Sequence, residues 1–131
     1  MLKVERIDHI NMRVHDLAES IEFYQKHFGF VMMEDETHAR EPWAIIGIKG
    51  IAYLCLYEHP GKAVPEEGLT INHFGLALKD FDKALVHLKK SGVPILYGGP
   101  VEWPQSRSIY IRDPSGHEIE LAEKVGGGLG E

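Results

Sequence analysis

At 131 residues, 44% hydrophobic and 26% charged, the chain has the composition of an ordinary globular domain near the modal size for one. A net charge of −6 with no basic run excludes a nucleic-acid or anionic-membrane surface, which needs clustered Lys and Arg, and leaves small molecules as the expected partners. No apolar stretch approaches the roughly 20 residues that a bilayer crossing needs, Met1 to Arg6 lacks the apolar core of a signal peptide, and the lone Cys55 excludes an intrachain disulfide, so a cytoplasmic location is expected.

Residues 4–14 alternate, with Ile10, Met12 and Val14 on one face and His9, Asn11 and Arg13 on the other, which predicts a strand packed on one side only. Asp16 then caps a helix, with Glu19 three residues on. Leu17, Ile21, Tyr24 and Phe28 form its apolar stripe, and Gly29 ends it in the left-handed conformation. Residues 30–37 read as a strand and His38 to Pro42 as a polar loop. Trp43 to Ile48 and Ile51 to Tyr57, split by Lys49-Gly50, read as a β-hairpin. From His59 to Leu69 the Pro, Gly and charge content is that of a connector.

The strand at 71–78 opens a second half, with Phe74, Leu76 and Leu78 packed and His73, Gly75 and Ala77 on the other face. Asp80 caps a helix carrying Phe81, Ala84, Leu85 and Leu88, and Gly92 ends it. Strands are expected at 94–97, 106–112 and 117–122, with Asp113-Pro114-Ser115-Gly116 as the turn before the last. The glycine-rich tail, 124–131, is expected to be flexible.

The two halves share one grammar. Ile7-Asp8-His9-Ile10 through Asp16-Leu17 recurs 64 residues on (73 − 9) as Ile71-Asn72-His73-Phe74 through Asp80-Phe81. Each half is βαβββ, module one spanning about 4–58 and module two about 70–123. A repeat this long makes each copy a unit that cannot bury its own apolar face, so the expectation is α+β: two βαβββ modules sharing a core as a single domain, a curved, partly open mixed β-barrel with its helices outside. Two equivalent histidines then face one cavity. The last strand adds Glu118 and Glu120 on one face, opposite Ile119 and Leu121; Glu118 reads as an acid on a solvated face, Glu120 as the deeper of the pair. Two neutral imidazoles and one carboxylate are what a divalent cation requires.

From Asp8-His9 through Val14-His15-Asp16-Leu17-Ala18-Glu19-Ser20, Phe23-Tyr24 and Phe28-Gly29-Phe30, then Asn72-His73, to Asp113-Pro114-Ser115-Gly116-His117-Glu118-Ile119-Glu120-Leu121, the chain resembles the vicinal oxygen chelate superfamily. That superfamily includes glyoxalase I, extradiol dioxygenases, fosfomycin-resistance enzymes and bleomycin-binding proteins. The resemblance runs from about residue 5 to 123 and implies His9, His73 and Glu120 as ligands of one divalent metal per site, Fe, Mn, Zn or Ni. Aligning Leu54-Cys55-Leu56 with Ile119-Glu120-Leu121 puts Cys55 where glyoxalase I has a fourth, glutamate ligand, a departure from that enzyme. Ile51 to Glu58 and Arg107-Ser108-Ile109-Tyr110 look more like the fosfomycin-resistance branch, although Val125 to Leu129 holds no arginine for a phosphonate and no acid matches the hydrolytic base. Cys55 reads as a small buried residue, a pocket wall or a thiolate ligand. Asn11, Cys55, Tyr57, Arg107 and Tyr110 are the candidate substrate contacts; no residue names itself as a general base.

The resemblance implies an enzyme that binds a small oxygenated metabolite through vicinal oxygens and stabilises an enolate- or alkoxide-like charge, in lyase, isomerase or transferase chemistry. Two alternatives stay open, an Fe(II) extradiol-type dioxygenase built on the same two-histidine, one-carboxylate set, and a non-enzymatic binder like the bleomycin-resistance proteins. The 59–69 connector reaches about 35 Å if extended, which permits pairing of modules within a chain or between chains. A homodimer is expected, His9 of one chain completing a site with His73 and Glu120 of the other.

Overall fold

The computed structural model describes residues 1–60 and 71–124. Most of the expected connector (61–69) and tail (125–131) lies outside the described residues. The chain divides into two compact units, Met1–Ala63 and Val64–Glu131.

The first unit runs β1 (Ile10–Val14), α1 (Leu17–Phe28), β2 (Val31–Glu36), β3 (Trp43–Ile48) and β4 (Ala52–Glu58). Its sheet has the order β1-β4-β3-β2, with β1 parallel to β4 and the other pairs antiparallel. β1 starts at Ile10 instead of residue 4, because it is an edge strand whose one ladder begins where Ile10 meets Leu54. Among the described residues no strand pairs with residues 4–9 to express their alternation.

α1 begins as expected. Asp16 is extended and its Oδ1 accepts from the Glu19 N–H at 2.9 Å. Glu58, at the end of β4, accepts from the Leu17 N–H at 2.9 Å and ties the same helix end to the sheet. Gly29 closes the helix at φ 68°, its N–H reaching Gln25 O at 3.1 Å while Phe30 N–H reaches Tyr24 O. Leu17, Ile21 and Tyr24 are buried, as are Met12, Val14, Ala44, Ile46, Leu54 and Leu56 of the strands. The alternate strand positions, Asn11, Arg13, Trp43, Ile45, Cys55 and Tyr57, therefore share the opposite sheet face.

The second unit repeats the plan with β5 (His73–Ala77), α2 (Phe81–Lys90), β6 (Val101–Trp103), β7 (Ser106–Arg112) and β8 (Glu118–Ala122). Its order is β5-β8-β7-β6, with β5 parallel to β8. Asp80 caps α2 by accepting from the Lys83 N–H at 3.1 Å. Phe81 and Leu88 are buried together with Ile109, Ile111, Ile119 and Leu121. In the turn before β8, the buried Asp113 carboxylate accepts from the N–H groups of Ser115 at 3.0 Å and His117 at 2.8 Å.

The strand expected at 94–97 is absent. Leu96–Gly98 forms a 3-10 turn in which Tyr97 and Gly98 have φ of 58° and 77°, followed by Gly99 at 123°, values that no β-strand accommodates. The extended segment that takes its place is β6, a few residues later. The fold is thus α+β, two βαβββ units each holding an open, mixed four-stranded sheet and one α-helix. Among the described residues no helix is long and apolar enough to cross a membrane.

Candidate metal centre

Both repeat histidines are anchored through the same nitrogen by the residue before them. His9 Nδ1 lies 2.8 Å from Asp8 Oδ2, and His73 Nδ1 lies 2.7 Å from Asn72 Oδ1. Asn72 Oδ1 can only accept, so His73 Nδ1 is the donor in that contact and the ring is turned with Nε2 toward Glu120. An oxygen acceptor on one ring nitrogen is the usual partner of a histidine that ligates a metal through the other. His9 stands one residue before β1 and is exposed, and its hydrogen bond is what chiefly holds the Asp8 carboxyl below the usual range.

In the second unit the ladder between β5 and β8 sets His73 beside Glu118 and Gly75 beside Glu120, and β7 brings Tyr110 beside Glu120. His73 Nε2 lies 3.0 Å from Glu120 Oε2. The other Glu120 oxygen accepts from Ser108 Oγ at 2.7 Å, and Ser108 Oγ in turn accepts from Trp103 Nε1 at 2.9 Å. Burial pushes the Glu120 carboxyl up, but hydrogen bonds from Ser108, Tyr110 and His73 outweigh it and hold the group below its ordinary value. The Tyr110 phenol is pushed up to about 12, first by burial and then by the hydrogen bond and charge of Glu120. The result is an anionic, braced carboxylate against an oriented imidazole.

Glu118 is not the solvated acid that alternation suggests. Its side chain is 12% exposed, its Oε2 lies 3.6 Å from His73 Nδ1, and its Oε1 accepts from the Tyr97 phenol. Among the described residues no group of three or more His, Cys, Asp and Glu is arranged as a metal cluster. The second unit by itself supplies an imidazole and a carboxylate, a donor pair that suits a borderline divalent cation and needs a further ligand from elsewhere.

The remaining candidates separate by face. The β1–β4 register pairs Asn11 with Cys55, as the β5–β8 register pairs Gly75 with Glu120. Cys55 is therefore the positional counterpart of Glu120 in the first unit. It is buried, and burial followed by the charge of Glu34 pushes its thiol up, which favours the inert thiol over a thiolate ligand. Asn11 is exposed on that same face, and Tyr57 stacks on Trp43 at 5.8 Å and 13°.

Arg107 requires a correction. It shares the parity of Ile109 and Ile111, not that of Ser108 and Tyr110, and its guanidinium bonds Glu123 at 2.6 Å and Asp82 at 3.2 Å while lying 4.4 Å over the Phe81 ring. It fastens α2 to the edge of β8 and is no part of the face that holds His73. Alternation alone does not mark Asp8, Asn72, Ser108 and Trp103 as site residues. The first two were legible as polar residues placed identically before each histidine, and Ser108 by its two-residue spacing from Tyr110.

The family model of the glyoxalase/bleomycin resistance protein/dioxygenase superfamily matches residues 6–121. The metallothiol transferase FosB of Staphylococcus epidermidis is 32% identical over 123 residues, covering 90% of this chain and 83% of that protein. Lactoylglutathione lyase of Escherichia coli O157:H7 is 25% identical, covering 95% and 97%. The fosfomycin resistance protein FosX of Listeria monocytogenes, solved as a glutamate-to-glutamine mutant with Mn(II) and 1S,2S-dihydroxypropylphosphonic acid, is similar at a TM-score of 0.76. That match covers 98% of this chain and all of that one, at 22% identity.

Proposed function

Because the chain belongs to the glyoxalase/bleomycin resistance protein/dioxygenase superfamily, we propose that it is a divalent-metal-dependent enzyme acting on a small oxygenated metabolite, with His9, His73 and Glu120 as the metal ligands. The observation that carries this is the pairing of His73 Nε2 with the braced Glu120 carboxylate at 3.0 Å, beside an Nδ1 held by Asn72. The repeat of that anchoring at Asp8-His9 supports the third ligand. One divalent cation there would supply Lewis-acid stabilisation of negative charge developing on substrate oxygens.

The chain's own residues do the rest. Ser108 and Tyr110 keep Glu120 ionised and fixed, and Asn72 and Asp8 hold the imidazole planes. Asn11, Tyr57 and Tyr110 are the polar groups offered to substrate. The names of the two curated relatives, a transferase and a lyase, support group transfer or elimination as the reaction type, and the Mn(II) of the FosX complex supports manganese as the first metal to test. A cytoplasmic setting accords with the single, buried Cys55.

Metal analysis of protein purified without chelators or metal-affinity tags tests the proposal. The expected result is one divalent ion per chain; protein that stays metal-free after exposure to Mn(II), Zn(II), Ni(II) and Fe(II) overturns it. Ser108→Ala removes a hydrogen bond to the ligand oxygen without touching the metal, and is expected to raise the Mn(II) dissociation constant about 10- to 100-fold. An unchanged constant by titration calorimetry would show that Glu120 needs no brace.

We also propose a homodimer whose sites are shared, His9 of one protomer acting with His73 and Glu120 of the other. Refolding a 1:1 mixture of His9→Ala and Glu120→Ala chains then places one intact site in every hybrid dimer, and about a quarter of wild-type Mn(II) capacity should return. No recovery in the mixture, with a monomeric mass by light scattering, contradicts the shared site.

A further inference from the structure

Tyr97 is the one non-glycine residue with positive φ among the described residues (58°), a conformation in which bulky side chains are rare and which collects at ligand clamps. Nothing in the packing of the core requires it, since the residue is 66% exposed. Yet its side chain is held. The phenol donates to Glu118 and the ring stands edge-on to Tyr110 at 5.2 Å and 81°. Tyr110 in turn stands edge-on to His73 at 5.7 Å and 86°. A chain of three rings therefore leads outward from the imidazole, and the outermost, Tyr97, is largely exposed beside the donor groups.

We propose that Tyr97 is a specificity-determining residue, its ring forming the outer wall that receives the planar or aromatic part of a ligand whose two oxygens bind the cation. This rests on the reading of His73 and Glu120 as metal ligands. The edge-on contact with Tyr110 sets the ring's position, and a phenylalanine would retain it. The contact favours a flat unsaturated group, because an aromatic pair adds attraction beyond the area that it buries.

Benzohydroxamate and acetohydroxamate test this on the full-length, Mn(II)-loaded protein, since they present the same pair of oxygens with a phenyl or a methyl group behind them. By titration calorimetry the wild type is expected to prefer benzohydroxamate, and Tyr97→Gly to lower that preference about tenfold. Glycine accepts φ 58° without strain, and because both hydroxamates are measured on the same Mn(II)-loaded variant, their ratio isolates the loss of the ring from any change in metal affinity. Tyr97→Phe keeps the ring and should keep the preference. Tyr97→Gly with the wild-type ratio, or Tyr97→Phe with the ratio lost, overturns the wall. A wild type that takes up no Mn(II) overturns the metal reading and this inference together, whereas Mn(II) and acetohydroxamate binding without phenyl discrimination overturns this inference alone.

Discussion

Replacing Glu120 with glutamine is expected to weaken divalent-metal binding by more than about a hundredfold while leaving the fold in place. The neutral amide has nearly the volume of the carboxylate and can still accept from Ser108 Oγ, now 2.7 Å from the carboxylate oxygen. What it lacks is the negative charge. In the proposed ligand set of two neutral imidazoles and one carboxylate, Glu120 supplies the negative charge, and the loss of a direct ligand is expected to exceed the 10- to 100-fold typical of its supporting partners. Mn(II) titration of Glu120→Gln beside wild type, with thermal denaturation to confirm folding, reads both quantities. Wild-type affinity in the variant would remove Glu120 from the site.

Gly47→Ala is expected to destabilise the first unit by about 3 kcal/mol or more, at the upper end of the cost of overpacking. A methyl there would sit 2.3 Å from the Ala52 carbonyl oxygen, 2.8 Å from Tyr53 Cδ1 and 3.2 Å from Tyr53 Cα. Two of those three atoms are backbone, so the β3–β4 pairing must open and no rotamer change relieves it. Gly50, in the turn of the same hairpin, is the control. It has φ 76° and nothing within 4 Å of an added Cβ, so Gly50→Ala costs only the left-handed conformation, about 1 kcal/mol. Equal melting temperatures for the two variants would contradict the steric argument. Because β4 carries Cys55 and Tyr57, slippage at Gly47 should also disorder the sheet face that they share.

The features legible in the sequence were those fixed by local chemistry or strict periodicity. Asp16 and Asp80 cap their helices with the bonds that their side chains predict, Gly29 takes the left-handed end, and the register of each parallel strand pair makes Cys55 the counterpart of Glu120. What escaped depended on neighbours that alternation cannot report. The pattern of residues 4–9 is that of a strand, but the ladder to β4 stops at Ile10. Pro94 to Tyr97 is apolar enough for a strand, but nothing in a tyrosine announces φ 58°. Glu118 reads as solvated until Tyr97, 21 residues before it, is seen to cover it. Arg107 differs for another reason. Its parity pointed away from Tyr110, and a long cationic side chain beside a candidate site invited a substrate role that Glu123 and Asp82 already occupy.

Two imidazoles from equivalent positions of an internal repeat are proposed to bind one cation. Electron spin-echo modulation of the Mn(II)-loaded protein counts directly bound imidazole nitrogens. The expected count is two in the wild type, one in His9→Ala and one in His73→Ala. A wild-type spectrum without bound nitrogen, or one unchanged by either substitution, would contradict it.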